Sequence, residues 1–266
     1  MTHHLLDVQA LSRDFGGVRA VNQVNFHVKA GEIVALIGPN GAGKSTVLNI
    51  VSGVIPPSQG EILFENRLMN TVPGHQYAGL GITRTFQNLQ TFDDMTVQEN
   101  VMVGLHSKTS ASLFACGLSL GKARREEEMM RKRADHWLEI VGLTSLAAVE
   151  ARSLPYGKLR LMEIARAMVA EPKLLLLDEP AAGLNHTETA EMSRMFEEIR
   201  ASGTSILLVE HDMDMIMSVA DRIVVMDQGE KIAEGTPQEI QENPRVIAAY
   251  LGEEEQEAGK GVKSGA

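Results

Sequence analysis

Gly38-Pro39-Asn40-Gly41-Ala42-Gly43-Lys44-Ser45-Thr46 fits the pattern G-x-x-x-x-G-K-[ST]. The apolar run Ile33 to Ile37 precedes it, and the helix-like Val47-Leu48-Asn49-Ile50 follows. An apolar strand, a glycine-rich turn and a helix start are the context in which this pattern cradles phosphate. Glycines let successive backbone N–H groups turn inward, and the helix N-terminus adds partial positive charge. Lys44 is then placed to reach the β- and γ-phosphates of a nucleotide, and the Ser45 hydroxyl to bind a bridging Mg²⁺. A chance glycine-rich turn before Lys-Ser would lack these flanks.

Downstream, Leu174-Leu175-Leu176-Leu177-Asp178-Glu179 reads as a buried strand ending in two carboxylates. Ligands of α/β folds bind at the carboxyl edge of the sheet. Asp178 is expected to serve the Mg²⁺ shell, and Glu179 to act as general base on an attacking water. His211 follows the apolar run Ile206 to Val209 and Glu210, so it also falls at a strand end, within reach of a γ-phosphate; an isolated His there reads as well as a surface residue. Gln87, after the strand pattern ending at Phe86, has the same two readings, with metal and attacking water as the functional one. Phe15, before the turn Gly16-Gly17, is either a core aromatic or a platform for an adenine ring.

Residues 5–10 and 22–29 read as strands, with Val24, Phe26 and Val28 on one face. Short strands are expected at 60–64 and 81–86. Thr96-Val97-Gln98-Glu99 has the form of a capping box ahead of a helix. The charge run from Lys122 to Arg133 carries Met129, Met130, Ala134, Trp137, Leu138 and Val141 at roughly helical spacing, the pattern of a solvated amphipathic helix. Residues 90–170 thus read as a mainly helical insertion. Strand patterns return at 173–178, 204–210 and 221–227, alternating with helices near 187–201 and 212–219, which predicts a mainly parallel sheet covered on both faces. Gln228-Gly229 predicts a hairpin turn to a strand at 231–234, and helices follow from Thr236 and Asn243. The domain is expected to span 1–252, and the acidic stretch 253–266 to be a disordered tail.

Composition narrows the class. The 266 residues are 44% hydrophobic and 23% charged, as in ordinary globular proteins. Twenty-five basic against 35 acidic residues give a net charge of −10, which argues against nucleic acid as a partner. No apolar run is long enough to span a membrane, and no secretory signal is visible at the N-terminus. Cys116 is the only cysteine, which suits a reducing cytoplasm.

The order of these features resembles the ATP-binding subunit of an ABC transporter along nearly the whole chain. In that family GPNGAGKST is the Walker A loop and LLLLDEP the Walker B strand. Gln87 is the Q-loop glutamine and His211 the switch histidine, while Ala182 to Asn185 fit the D-loop. The resemblance implies an α/β P-loop NTPase fold with an N-terminal antiparallel β subdomain and an inserted α-helical subdomain. It also implies ATP and Mg²⁺ as ligands, held by residues 38–46 (Pro39, Asn40, Gly41, Ala42 and Thr46 included) with Asp178, and it favours adenine stacking for Phe15. Ser45, Gln87 and Asp178 would serve the metal; Glu179, His211 and Gln87 the catalysis. Arg84 to Asn88, Leu154 to Gly157, Val209 to Met213 and Ile232 to Pro237 are similar to the importer ATPases for branched-chain amino acids. The implied partners are a second ATPase subunit, two transmembrane permease subunits and, indirectly, a solute-binding protein, with this chain peripheral on the cytoplasmic face of the plasma membrane. Urea, amides and aromatic acids stay open as solutes.

The signature differs from the family's general L-S-G-G-Q. Here it is Leu154-Pro155-Tyr156-Gly157-Lys158. Since the signature of one subunit caps ATP held by the other, the loss of a Ser hydroxyl, and of an N–H at Pro155, predicts a partner of different sequence with a fuller signature. Two rivals fit less well. A chromosome-type ABC ATPase needs a long coiled coil, and no sustained heptads lie between Gln87 and Leu154. A plain P-loop kinase leaves Gln87, His211 and the signature unexplained.

Overall fold

The computed structural model describes residues 4–85, 90–105 and 120–250, without the side chains of 120–123. Gln87, Cys116 and the tail expected at 253–266 lie outside the described residues. The chain divides into two compact units, Met1–Gly74 with Ser205–Ala266, and His75–Thr204.

The first unit contains β1 (Leu6–Phe15), β2 (Val18–Val28), β3 (Ile33–Ile37), α1 (Lys44–Val51), β4 (Gln59–Phe64) and β5 (Arg67–Leu68). Its second stretch adds β8 (Ser205–Val209), α7 (Met213–Val219), β9 (Arg222–Asp227), β10 (Glu230–Gly235) and α8 (Pro237–Gln241), with helical turns over 244–250. An antiparallel sheet runs in the order β2-β1-β4-β5. β1 and β2 extend well beyond the expected residues, up to the Gly16-Gly17 turn, where both glycines have positive φ. Within β2, Val24, Phe26 and Val28 are buried and Asn25 is exposed, the alternation of a half-buried strand.

β3 lies parallel to both β8 and β9, and β10 returns antiparallel to β9. The β9–β10 hairpin turns on Gln228 (φ 47°) and Gly229 (φ 84°), two positive φ values in succession, as a type I′ turn requires. Every residue of β3 and β8 is buried. Ala35 and Ile37 of β3 pack with Ile223 and Val225 of β9, Ile216 of α7 and Ile240 of α8. Each of these Ile and Val side chains contributes about 1.5–3 kcal/mol on burial. The register pairs Leu36 with Val209 and Ile37 with Val225, so the three parallel strands end together at one sheet edge.

The second unit contains α2 (Tyr77–Leu80), β6 (Ile82–Arg84), α3 (Val97–Val103), α4 (Leu120–Ile140), α5 (Tyr156–Met168), β7 (Leu174–Asp178) and α6 (His186–Ala201). β6 and β7 are parallel, with Arg84 opposite Leu176. The capping box at Thr96 and Glu99 forms in full at the start of α3. At the other end of that helix Gly104 touches α5 so closely that a Cβ would lie 2.0 Å from the Arg166 carbonyl oxygen. Along α4, Ala134, Trp137, Leu138 and Val141 are buried, and Glu127–Arg131 and Glu128–Lys132 pair across exposed turns. Met129 is exposed rather than on the apolar stripe, because it sits one residue out of the register set by Met130 and Ala134. Among the described residues no helix is long and apolar enough to cross a membrane.

Candidate nucleotide site

The first unit builds the phosphate loop at the end of β3. Three of its glycines have positive φ: Gly38 (147°), Gly41 (80°) and Gly43 (96°). Two also leave no room for a side chain. A Cβ on Gly38 would lie 2.0 Å from the Met226 carbonyl oxygen, and one on Gly43 2.5 Å from that of Ala20. The loop is therefore pressed against its neighbours by its own backbone. The hairpin turn helps: the Gly229 N–H donates to the Ala42 carbonyl (3.1 Å), and the Asn22 N–H to that of Gly229 (2.8 Å).

Lys44 opens α1, and its ammonium is buried, donating to the carbonyl oxygens of Gly38 (2.6 Å) and Pro39 (2.8 Å). Gly43 caps α1 without a side-chain bond, and no acidic residue stands in the first turn. The positive helix end is thus left for an anion. On the same sheet edge, β8 leads into Glu210 and His211. Glu210 is buried; its Oε2 accepts the N–H groups of His211 (2.8 Å) and Asp212 (3.3 Å) and lies 3.5 Å from His211 Nδ1. The His211 side chain is itself 67% exposed. Asp212 then caps α7 through the Met215 N–H.

Asp178 and Glu179 belong to the second unit. Asp178 is buried at the end of β7 and accepts from Arg84 Nη2 of β6 at 2.9 Å. Glu179 is half-buried and has φ 47°. A non-glycine residue in the left-handed region costs on the order of 1 kcal/mol, and such strain concentrates at functional positions. Its carbonyl accepts the Ala182 N–H at 3.2 Å. The turn ends at Asn185, which caps α6 by accepting the N–H groups of Thr187 and Glu188.

In the same unit, Pro155 caps α5 with extended backbone (φ −59°, ψ 154°), so Tyr156 and Gly157 form the first turn of the helix. Leu154 is buried and Tyr156 is 46% exposed. A Cβ on Gly157 would meet Glu188 Oε1 at 3.1 Å and Leu184 Cδ2 at 3.2 Å, so this turn abuts the start of α6. Lys158 is half-buried and lines a cavity of about 330 Å³ with Leu161, Glu191 and Arg194.

Residues 21–182 match the family described as ABC transporter, and residues 230–256 the one described as branched-chain amino acid ATP-binding cassette transporter. This chain belongs to the ABC transporter family. It is 47% identical over 254 residues to the high-affinity branched-chain amino acid transport ATP-binding protein LivG of Escherichia coli K12, covering 95% of this chain and all of that one. The ADP conformation of MJ1267, an ATP-binding cassette of an ABC transporter, superposes with a TM-score of 0.82 at 32% identity over 94% of this chain and 99% of that one. A dimeric, post-hydrolysis form of the cassette MJ0796 bound to ADP and Pi does so with a TM-score of 0.74 at 26% identity, over 87% of this chain and 98% of that one.

ATP hydrolysis coupled to transport is the activity typical of this family, and the loop of this cassette fits the nucleotide. The carbonyls of Met226 and Ala20 occupy the space that Cβ atoms on Gly38 and Gly43 would take, and the carbonyls of Gly38 and Pro39 hold the Lys44 charge at the loop. Ser45 stands in the first turn of α1 in the first unit and Asp178 at the end of β7 in the second, each with an oxygen of the kind Mg²⁺ prefers. No cluster of three or more His, Cys, Asp or Glu suited to a metal occurs among the described residues. Phe15 is 43% exposed at the end of β1, with the Arg13 guanidinium 4.6 Å over its ring, so it is not a core aromatic of this cassette. Two residues of the site were missed by sequence reasoning. Arg84, the partner of Asp178, reads as one more polar residue after a short strand. Glu210 gave a signal: a carboxylate directly after four apolar strand residues is either a ligand or a buried acceptor, and here it is the acceptor.

Proposed function

We propose that this cassette hydrolyses ATP to drive import of branched-chain amino acids, as one of two ATPase subunits on the cytoplasmic face of two permease subunits served by a solute-binding protein. The observation that carries the reading is the similarity, along nearly the whole chain, to an ATP-binding protein of branched-chain amino acid transport. Residues 38–46 hold the triphosphate, with Lys44 on the β- and γ-phosphates, while Phe15 stacks on adenine. Ser45, Asp178 and Gln87 would hold Mg²⁺, which would supply neutralisation of the phosphate charge. Glu179 accepts the proton of the attacking water, and His211 donates to the γ-phosphate. Residues 1–252 act as one ATPase domain, the helices of about 90–170 forming its helical subdomain. Leu154 to Lys158 cap the ATP of the partner subunit. Because Pro155 lacks an N–H, only the first turn of α5 is left to do so, and a heterodimer with a fuller partner signature is the arrangement we infer. ATP and ADP differ in affinity for closed and open dimers, and that difference drives the switch.

Purification of the tagged chain from membranes in mild detergent tests this. The expected result is recovery with a second, different ATPase and two polytopic proteins, and ATP hydrolysis that rises with leucine-loaded binding protein. Recovery alone, or with ribosomes, would overturn it.

A further inference from the structure

The first turn of α5 is tied to the chain ahead of α3 by buried charges. Glu163, 3% exposed, accepts the Gln90 N–H through Oε1 at 2.9 Å. Its carboxylate pairs with Arg160 at 3.6 Å and with Arg166 at 3.2 Å. Arg160, also buried, donates through Nη2 to the Tyr156 hydroxyl at 2.7 Å, and its guanidinium lies 5.2 Å from the centre of the Tyr156 ring. The Tyr156 ring in turn sits where a Cβ on Gly183 would touch it, at 3.5 Å. Residues 90–96 are fastened at their other end as well. The fully buried Asn100 accepts the Phe92 N–H and donates to the carbonyls of Phe92, Met95 and Thr96.

A buried ion pair is a poor way to gain stability but a good way to fix one arrangement. Here the arrangement joins three loops: residues 90–96, the signature turn at Tyr156, and the turn at Gly183. The guanidinium is the joint. Its planar fork faces Glu163 with one nitrogen and the Tyr156 hydroxyl with the other, which an ammonium cannot match. We propose that Arg160 and Glu163 are positioning residues that set the signature turn from the 90–96 loop, so that Tyr156 and Gly157 reach the partner's ATP only while Glu163 holds Gln90. This rests on the reading of Leu154 to Lys158 as the cap for that ATP.

The test uses the assembled transporter, with Arg160→Lys, Tyr156→Phe and the double variant. Each single variant is expected to lower kcat for ATP about tenfold, the scale of a lost charge-assisted hydrogen bond, with ATP affinity of the separate chain unchanged. The double variant is expected to be no slower than the slower single one, because both cut the same link. Arg160→Lys with wild-type kcat, or losses that multiply in the double variant, would overturn the proposal. If Arg160→Lys fails to fold by thermal melting, Tyr156→Phe and Glu163→Gln take its place in the same cycle, read in the same way. Failure of the underlying reading looks different: the wild-type complex itself would then show no hydrolysis dependent on its partner subunits.

Discussion

Arg84 Nη2 lies 2.9 Å from Asp178 Oδ2, and both side chains are almost withdrawn from water at the ends of two parallel strands. The carboxylate assigned to the metal shell is thus held by a neighbouring strand. Removing one member of a buried pair leaves a charge without its counterion. Arg84→Met is expected to cost about 3–5 kcal/mol in a urea melt, and Arg84→Met/Asp178→Leu to regain most of it. An unchanged midpoint for the single variant would show that Asp178 does not depend on Arg84.

The role of base proposed for Glu179 falls on a residue with left-handed backbone, φ 47°. Glu179→Gln should keep ATP binding and lose hydrolysis by about 10²–10⁴-fold, the range of general-base catalysis. Lys44→Ala should instead weaken nucleotide binding, since it removes the buried cation that Gly38 and Pro39 now hold. Filter binding and phosphate release separate the two. Residual turnover near wild type in the Gln variant would remove Glu179 from the chemistry.

Glycines of one loop should differ in their tolerance of Ala. Gly41 has φ 80° but open space around it, so Gly41→Ala should cost about 1 kcal/mol. At Gly38 the added methyl would also collide with the Met226 carbonyl. Gly38→Ala should therefore lose both stability and nucleotide binding. Equal effects in thermal melts would argue against the close approach.

Acid should destabilise the first unit in two stages. Arg222 grips Glu32 with two bonds of 2.9 Å, pairs with Glu234 and donates to the His27 carbonyl. Burial pushes Glu32 up, but the Arg222 hydrogen bond and the Lys29 N–H more than offset it, leaving its pKa below the usual carboxylate value. Glu234 is lowered in the same way, burial being outweighed by Lys231 and Arg222. Burial, then Arg222 and His4, hold the His27 imidazole below its ordinary 6.5. All three groups have depressed pKa values in the fold, so their stability is full above the unfolded values and is lost as pH falls through the folded ones. Urea midpoints should start to fall below about pH 6.5 and fall again below about 4.5. His27→Gln should remove the first stage, and Arg222→Met should flatten the second.

The altered signature predicts unequal sites in the dimer. In the heterodimer proposed above, the ATP on this chain's own loop would face the fuller signature of the partner. Loss of the catalytic Glu here should then reduce hydrolysis more than the matching loss in the partner. Equal losses would count against the asymmetry.

Local chemistry made much of this protein legible from its residues alone. The loop at Gly38 to Thr46, the capping box at Thr96 and the turn at Gln228-Gly229 each follow from backbone rules that act over a few residues. The family pattern, read over nearly the whole chain, decided between the two readings open for His211 and Gln87. Tertiary structure decided what depends on distant partners. Arg84 meets Asp178 across 94 positions, Gln90 meets Glu163 across 73, and Arg222 meets Glu32 across 190. In the chain itself these are ordinary charged or polar residues. Only packing removes them from water, and only then does each charge need the partner that the fold provides.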